Sequence, residues 1–221
     1  MGARGENMSL IALVGSHRVG KTTLAKAYAE KHEIVFLETS VSAIFRDLGH
    51  NPSDVFDFTT RLDIQEEILV RLDALYGEQD PLQQIIADRS PLDLLAYTMA
   101  EAIGAVVKRS DQKRFAAYAA KCFEMTNRRF STVILVQPGI PLVKAKAKGK
   151  AALNQAYIEH LNTLILGLTL DERQLVTHFY IPRRLLTMED RIAAVEGAVG
   201  RSMQTAARHL DLHVANGGLV H

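Results

Sequence analysis

Gly15-Ser16-His17-Arg18-Val19-Gly20-Lys21-Thr22-Thr23 decides the fold. It reads Gly, four residues, Gly-Lys-Thr, the phosphate-binding P-loop pattern. The apolar run Leu10-Ile11-Ala12-Leu13-Val14 before it suits a buried strand, and Thr23-Leu24-Ala25-Lys26-Ala27-Tyr28-Ala29-Glu30 after it suits a helix. Strand, glycine turn and helix start are the context the motif requires. Gly15 and Gly20 permit backbone angles and close approach that a side chain would block. The loop N–H groups and the helix N-terminus then converge on a polyphosphate. Gly15, Ser16, His17, Arg18, Val19, Gly20 and Thr23 are therefore expected around ATP. Lys21 is expected on the β- and γ-phosphates, and the Thr22 hydroxyl on Mg2+.

Outward from this loop, strand-like and helix-like segments alternate. Strands are expected at Leu10–Val14, Ile34–Leu37, Ile85–Ala87, Val133–Val136 and Val176–Ile181. Several are almost wholly apolar, as strands covered on both faces should be. Leu62, Ile64, Ile68, Leu69, Leu72 and Leu75 recur near helical spacing between Arg61 and Tyr76, and Leu153, Tyr157, Leu161, Leu164, Ile165 and Leu168 do so between Ala151 and Leu170. The pattern implies a three-layer α/β P-loop NTPase fold with about five parallel strands and helices on both faces. At 221 residues a single domain over 1–221 is expected. It carries a loose N-terminal tail at 1–8, a lysine-rich lid at about 142–151 and a C-terminal tail at about 211–221.

Ligands in such sheets bind beyond the carboxyl ends of the strands, so the residues there are the ones to inspect. Glu38 follows the second strand and reads as a proton acceptor for a substrate hydroxyl or an aid to Mg2+. It reads equally as an acid at a helix start, with Ser40 or Ser42 as cap. Asp88 ends the third strand and reads as the second Mg2+ anchor, or as a helix cap ahead of Pro91. Arg89 stands where hydrolysing motors place a glutamate, which favours transfer to an acceptor that Arg89 would bind. Arg46, Arg61 and Gln65 are the remaining substrate candidates. Arg61 and Gln65 are four apart and share a helix face, suited to a phosphate and a base edge, or to solvent as an ordinary polar face. Asn51-Pro52-Ser53-Asp54 is a turn and helix-start signal.

Composition bounds the reading. Hydrophobic residues at 48% and charged residues at 23% fit an ordinary globular chain. The single cysteine, Cys122, excludes an internal disulfide and fits a reducing, cytoplasmic setting; its helical surroundings suggest packing. No stretch is long and apolar enough to span a membrane, and residues 1–7 lack the apolar core of a signal peptide. The total charge of +1 conceals polarity: residues 108–150 hold eleven Lys or Arg against Asp111 and Glu124, a net +9, leaving −8 elsewhere. Such polarity suits a polyanion, and with it DNA is a second candidate partner. It also suits a solvated helix surface. The histidines show no metal-ligand spacing. Leu-rich helices offer a face for a homodimer.

The P-loop, the acid after strand two and Asp88-Arg89-Ser90 after strand three resemble the P-loop nucleoside and nucleotide kinases over residues from about 9 to 200. Thymidylate kinases and deoxynucleoside kinases carry a similar acid–Arg pair. Gln137-Pro138-Gly139-Ile140-Pro141, leading straight toward the lid, is similar to nicotinamide-riboside-kinase-like proteins and related phage kinases. The resemblance implies γ-phosphoryl transfer from ATP to a nucleoside, nucleotide or related acceptor. It implies Glu38 as general base, and Pro182 and Arg183 beside the adenine. Relatives commonly place arginines in the lid, where this chain offers Lys144, Lys146, Lys148 and Lys150, which lack the planar bidentate fork. Three other readings stand beside it. One is phosphorylation of a hydroxymethylated pyrimidine within DNA. Another is a nucleotide-dependent switch or ATPase that regulates a partner. The third is a basic nucleic-acid-binding module with a vestigial P-loop. An Asn-Lys-x-Asp guanine-reading motif is absent.

Overall fold

The computed structural model describes residues 10–51, 54–102, 107–141 and 154–215. Five strands form one parallel sheet: β1 (Leu10–Val14), β2 (Val35–Leu37), β3 (Ile85–Ala87), β4 (Thr132–Val136) and β5 (Thr177–Ile181), in the order β2-β3-β1-β4-β5. The helices are α1 (Lys21–His32), α2 (Val41–Asp47), α3 (Phe58–Gly77), α4 (Pro91–Glu101), α5 (Arg109–Arg129), α6 (Gln155–Thr169) and α7 (Met188–Ala215). The chain leaves β1 toward β3 and β2 on one side and toward β4 and β5 on the other. The carboxyl end of β1 thus lies where the winding reverses, the position at which such sheets bind ligands.

Period-two alternation divides the sheet between two cores. Leu10, Ala12 and Val14 of β1, with Val133 and Leu135 of β4, face a core built by α2 to α6 through Leu62, Ile68, Leu72, Leu92, Tyr118 and Ile165. Ile11, Leu13, Ile134 and Val136 face the other way, onto Leu24 and Tyr28 of α1 and Val195 and Val199 of α7. β1, β3 and β4 are buried throughout, as expected of strands covered on both faces. β2 and β5 are not, because they are the sheet's edges: Val35 is 37% and Tyr180 64% exposed.

Local signals fix the ends. Asp57, not the Asn51–Asp54 turn, caps α3, accepting the Thr60 N–H at 2.8 Å. Ser40 stands at the N-cap of α2 with φ 43° but makes no side-chain capping bond. Ser90 and Asp93 form a reciprocal capping box at α4, with Pro91 in the first turn. α7 continues to Ala215, into the stretch expected as a C-terminal tail. Cys122 packs fully buried on α5, and burial pushes its thiol up to about 12, as a packing role requires. No helix of the described residues is long and apolar enough to cross a membrane.

Candidate active site

The loop after β1 is shaped by its glycines. Gly15 has φ +152°, and a Cβ there would lie 2.6 Å from the Val136 carbonyl oxygen on β4. Gly20, with φ +81°, is the left-handed N-cap of α1. The Lys21 ammonium is folded back, donating to the Gly15 carbonyl and, at 2.9 Å, to that of Ser16. Lys21 is 6% exposed, and burial lowers its pKa to about 8 in spite of Asp93, whose carboxylate lies 3.9 Å away.

Two carboxylates converge on this loop. Asp88, at the end of β3, accepts the Thr22 hydroxyl at 2.7 Å through one oxygen. Through the other it accepts the N–H and hydroxyl of Thr39, at 3.2 and 3.0 Å. The donor set joining Thr22 and Asp88 is all oxygen, which suits a hard cation. No group of three or more His, Cys, Asp or Glu that could hold a metal occurs among the described residues. A cation taking most of its ligands from water and phosphate, as Mg2+ does, is the kind that fits.

Asp93 is the second carboxylate, wholly buried. It accepts the Gly15 N–H at 3.1 Å and the Ser90 N–H at 2.9 Å, tying α4 to the P-loop. Burial pushes its carboxyl upward against the pull of Lys21 and Arg89. Sequence reasoning missed it: Ser90-x-x-Asp93 is a visible capping box, but Gly15 lies 78 residues away. Arg89 sits with its guanidinium carbon 5.8 Å from the Tyr97 ring centroid. Burial works against its charge, but Tyr97, Asp93 and Asp88 outweigh this and hold its pKa above the ordinary value. Tyr97 in turn meets His17 Nδ1 of the loop at 3.3 Å.

A buried polar and aromatic cluster adjoins the loop through aromatic rings. Tyr157 of α6 lies 5.6 Å from His17, and its hydroxyl feels Glu101, Tyr97 and Arg61. Arg61 is 8% exposed, its guanidinium 4.8 Å from the Phe56 centroid and 5.6 Å from that of Phe45. Its Nη2 reaches Glu101 at 3.4 Å, but its Nε has no partner. Gln65, one turn on and 3% exposed, leaves Oε1 without a partner. The structure therefore gathers Lys21, Thr22, Asp88 and Arg89 around the P-loop, with Arg61 and Gln65 in the cluster that Tyr157 links to it.

Other expected residues lie at the rim of this arrangement or outside it. The Glu38 carboxylate is half exposed and lies 3.7 Å from Lys26, one turn along α1 from Thr22; the contact with Asp88 comes from Thr39 instead. Arg46 is exposed near the end of α2, and it is its neighbour Phe45 that packs against Arg61. Thr23 is exposed on α1. Arg183 is held by Glu159 through two bonds of 2.7 and 2.6 Å. Both line a cleft of ≈ 190 Å3 with His17, Arg18, Pro138 and Gly139, beside the P-loop. A Cβ on Gly139 would lie 2.1 Å from the Arg183 carbonyl oxygen, so the loops after β4 and β5 touch there. Lys144, Lys146, Lys148 and Lys150 lie outside the described residues.

Three arginines of the basic segment are answered from within the fold. Arg114 meets Asp63 at 2.6 Å and Glu66 at 2.7 Å, and Arg128 and Arg129 share Asp73 at 3.0 and 2.8 Å. Acids spaced along one face of α3 thus neutralise part of α5.

Residues 10–156 match a family described as AAA domain. The chain belongs to that family. This AAA domain has no match among curated proteins. Among solved structures it is similar to deoxyadenosine kinase from M. mycoides with product nucleotides bound: 16% identity over 87% of this chain and 99% of that one, TM-score 0.62. It is also similar to NadR in complex with NAD and AMP-PNP, at 12% identity and TM-score 0.63, covering 88% of this chain but 50% of that one. Thymidylate kinase from Candida albicans aligns at 18% identity over 89% and 93% of the two chains, TM-score 0.58. These belong to the kinase group that the motifs resemble, and at such identities the likeness is one of fold.

Proposed function

We propose that the protein is an ATP-dependent kinase that transfers the γ-phosphoryl group to a nucleoside, a nucleotide or a closely related acceptor. The observation that carries this reading is the pair of unsatisfied, buried groups on α3. The Arg61 Nε–H and the Gln65 Oε1, one turn apart beside two phenylalanine rings, offer a donor and an acceptor to a planar polar ring. Buried polar atoms are rarely left unpaired without a role. The aromatic contact of Tyr157 with His17 links that cluster to the phosphate loop.

Lys21 and the loop N–H groups would hold the β- and γ-phosphates, Lys21 swinging off the Gly15 and Ser16 carbonyls to do so. Thr22 and Asp88 would hold Mg2+, whose charge offsets that of the phosphate oxygens. Arg89, permanently charged, would steady the acceptor or the phosphoryl in transfer. With a hydroxyl acceptor, its oxygen bonds to the γ-phosphorus, ADP leaves, and the proton passes to Glu38. A phosphate acceptor needs no base, and Glu38 would then orient the substrate. The cleft lined by Arg183, Pro138 and Arg18 suits the adenine. The acid–base pairing of α3 with α5 favours a small acceptor over duplex DNA.

The test is transfer of labelled γ-phosphate from ATP to nucleosides, nucleoside monophosphates, nicotinamide riboside and duplex DNA carrying hydroxymethylated pyrimidines. Label on a free nucleoside or nucleotide supports the reading. Label only in DNA, or free phosphate with no labelled acceptor, refutes it.

A further inference from the structure

Arg191, in the first turn of α7, is 2% exposed and reaches across the fold to the phosphate loop. Its Nη2 donates to the Val19 carbonyl oxygen at 2.6 Å, joining residues 172 apart in sequence. Its Nη1 is buried with no hydrogen-bond partner. No carboxylate pairs with it among the described residues, and burial alone pushes its pKa down. A buried cation normally has a counter-charge, because removing it from water is costly. Glu189 and Asp190, in the same turn of α7, make no ion pair with it, and the positive ends of α7 and, across the loop, of α1 add charge of the same sign. An anion at Nη1 would supply the partner that this nitrogen lacks.

The loop shows where. A Cβ on Gly20 would lie 3.0 Å from Nη1 and 3.2 Å from the Ile140 side chain, so Gly20 is needed both for its φ of +81° and to leave room for this guanidinium. Nη1 therefore rests on the residue immediately before the lysine that the ATP reading places on the β- and γ-phosphates.

We infer that Arg191 is a nucleotide-binding residue, bracing the loop through Nη2 and donating through Nη1 to a phosphate oxygen of the bound nucleotide. The inference rests on the ATP reading. It gives α7, the last helix in chain order, a share in holding the polyphosphate.

The experiment compares wild type with Arg191→Met and Arg191→Lys. It reads the thermal midpoint of the free protein and the affinities for ATP, inorganic tripolyphosphate and adenosine. Arg191→Met is expected to weaken ATP and tripolyphosphate about 10- to 100-fold, leaving adenosine within about twofold, since only the phosphate contact is lost. Arg191→Lys keeps the charge but not the fork, and is expected to fall between the two. Should Arg191→Met not fold, Arg191→Lys decides by the same ratio of tripolyphosphate to adenosine affinity. A variant whose midpoint drops while its tripolyphosphate affinity stays at the wild-type value would make Arg191 a brace only and overturn the inference. A wild type that binds neither ATP nor tripolyphosphate would overturn the ATP reading itself, and this inference with it.

Discussion

Replacing Asp93 by Asn isolates the tie between the phosphate loop and α4. The carboxylate is fully buried and uses both oxygens: one takes the Gly15 N–H at 3.1 Å and faces Lys21 at 3.9 Å, the other takes the Ser90 N–H at 2.9 Å. Asparagine keeps the shape but has one acceptor. Whichever way it turns, its amide NH2 opposes a backbone N–H. A hydrogen bond to a charged group is worth about 1.5–3 kcal/mol, and orphaning a buried donor adds about 1–3 kcal/mol. Relief of the buried carboxylate's own desolvation works the other way. The net loss expected is about 2–3 kcal/mol, or about 4–12 °C in thermal midpoint at about 2–4 °C per kcal/mol for a chain of this size. Lys21 meanwhile loses the strongest of the neighbours that hold its pKa up, so it sheds its proton more readily than the wild type. The assay is thermal unfolding alongside ATP affinity between pH 6 and 9. A midpoint within about 1 °C of wild type, with an unaltered pH profile of binding, would refute the reasoning.

Three further outcomes are expected. Since the free Lys21 has a pKa of about 8 against 10.5 for the open chain, it is charged below pH 8 and neutral above. ATP affinity should therefore fall as pH rises through 8, and binding near pH 8 should take up a proton, seen as buffer-dependent heat in calorimetry. By the same sign, the unfolded chain binds more protons than the folded one between 8 and 10.5, so this group makes stability rise with pH across that window, by about 3 kcal/mol at most. Gly139→Ala drives a Cβ to 2.1 Å from the Arg183 carbonyl, and a rigid backbone clash of this kind costs about 1–3 kcal/mol. Urea unfolding should show that loss, and ATP affinity should fall with it. Glu38→Gln should lower kcat about 10²–10⁴-fold toward a hydroxyl acceptor while ATP affinity is kept, as steady-state kinetics would show. Unchanged kcat would remove Glu38 from the proton transfer.

What the sequence disclosed depended on how local the signal was. The loop from Gly15 to Thr23, the three inner strands and the amphipathic face of α3 are written in runs of adjacent residues, and the structure has them where the pattern placed them. Arg61 and Gln65 were visible as one helix face, although their burial was not. Asp93 and Arg191 were hidden because their partners are 78 and 172 residues distant, and no spacing rule reaches that far. The charge of α5 was legible as a sum but not as a pairing. Asp63, Glu66 and Asp73 recur at intervals of three and seven along α3, and that acidic stripe was the clue that a basic helix would lie against it.

The solitary thiol of Cys122 makes the fold its own chronometer. With its sulfur buried on α5 and its pKa pushed to about 12, no alkylating reagent should meet thiolate until that helix lifts from α3 and α4. The labelling rate then counts openings of the α5 layer directly, in the intact chain and without an added probe. A nucleotide that clamps the phosphate loop from the α4 side would slow that rate, and one that engages only the α7 side would leave it alone.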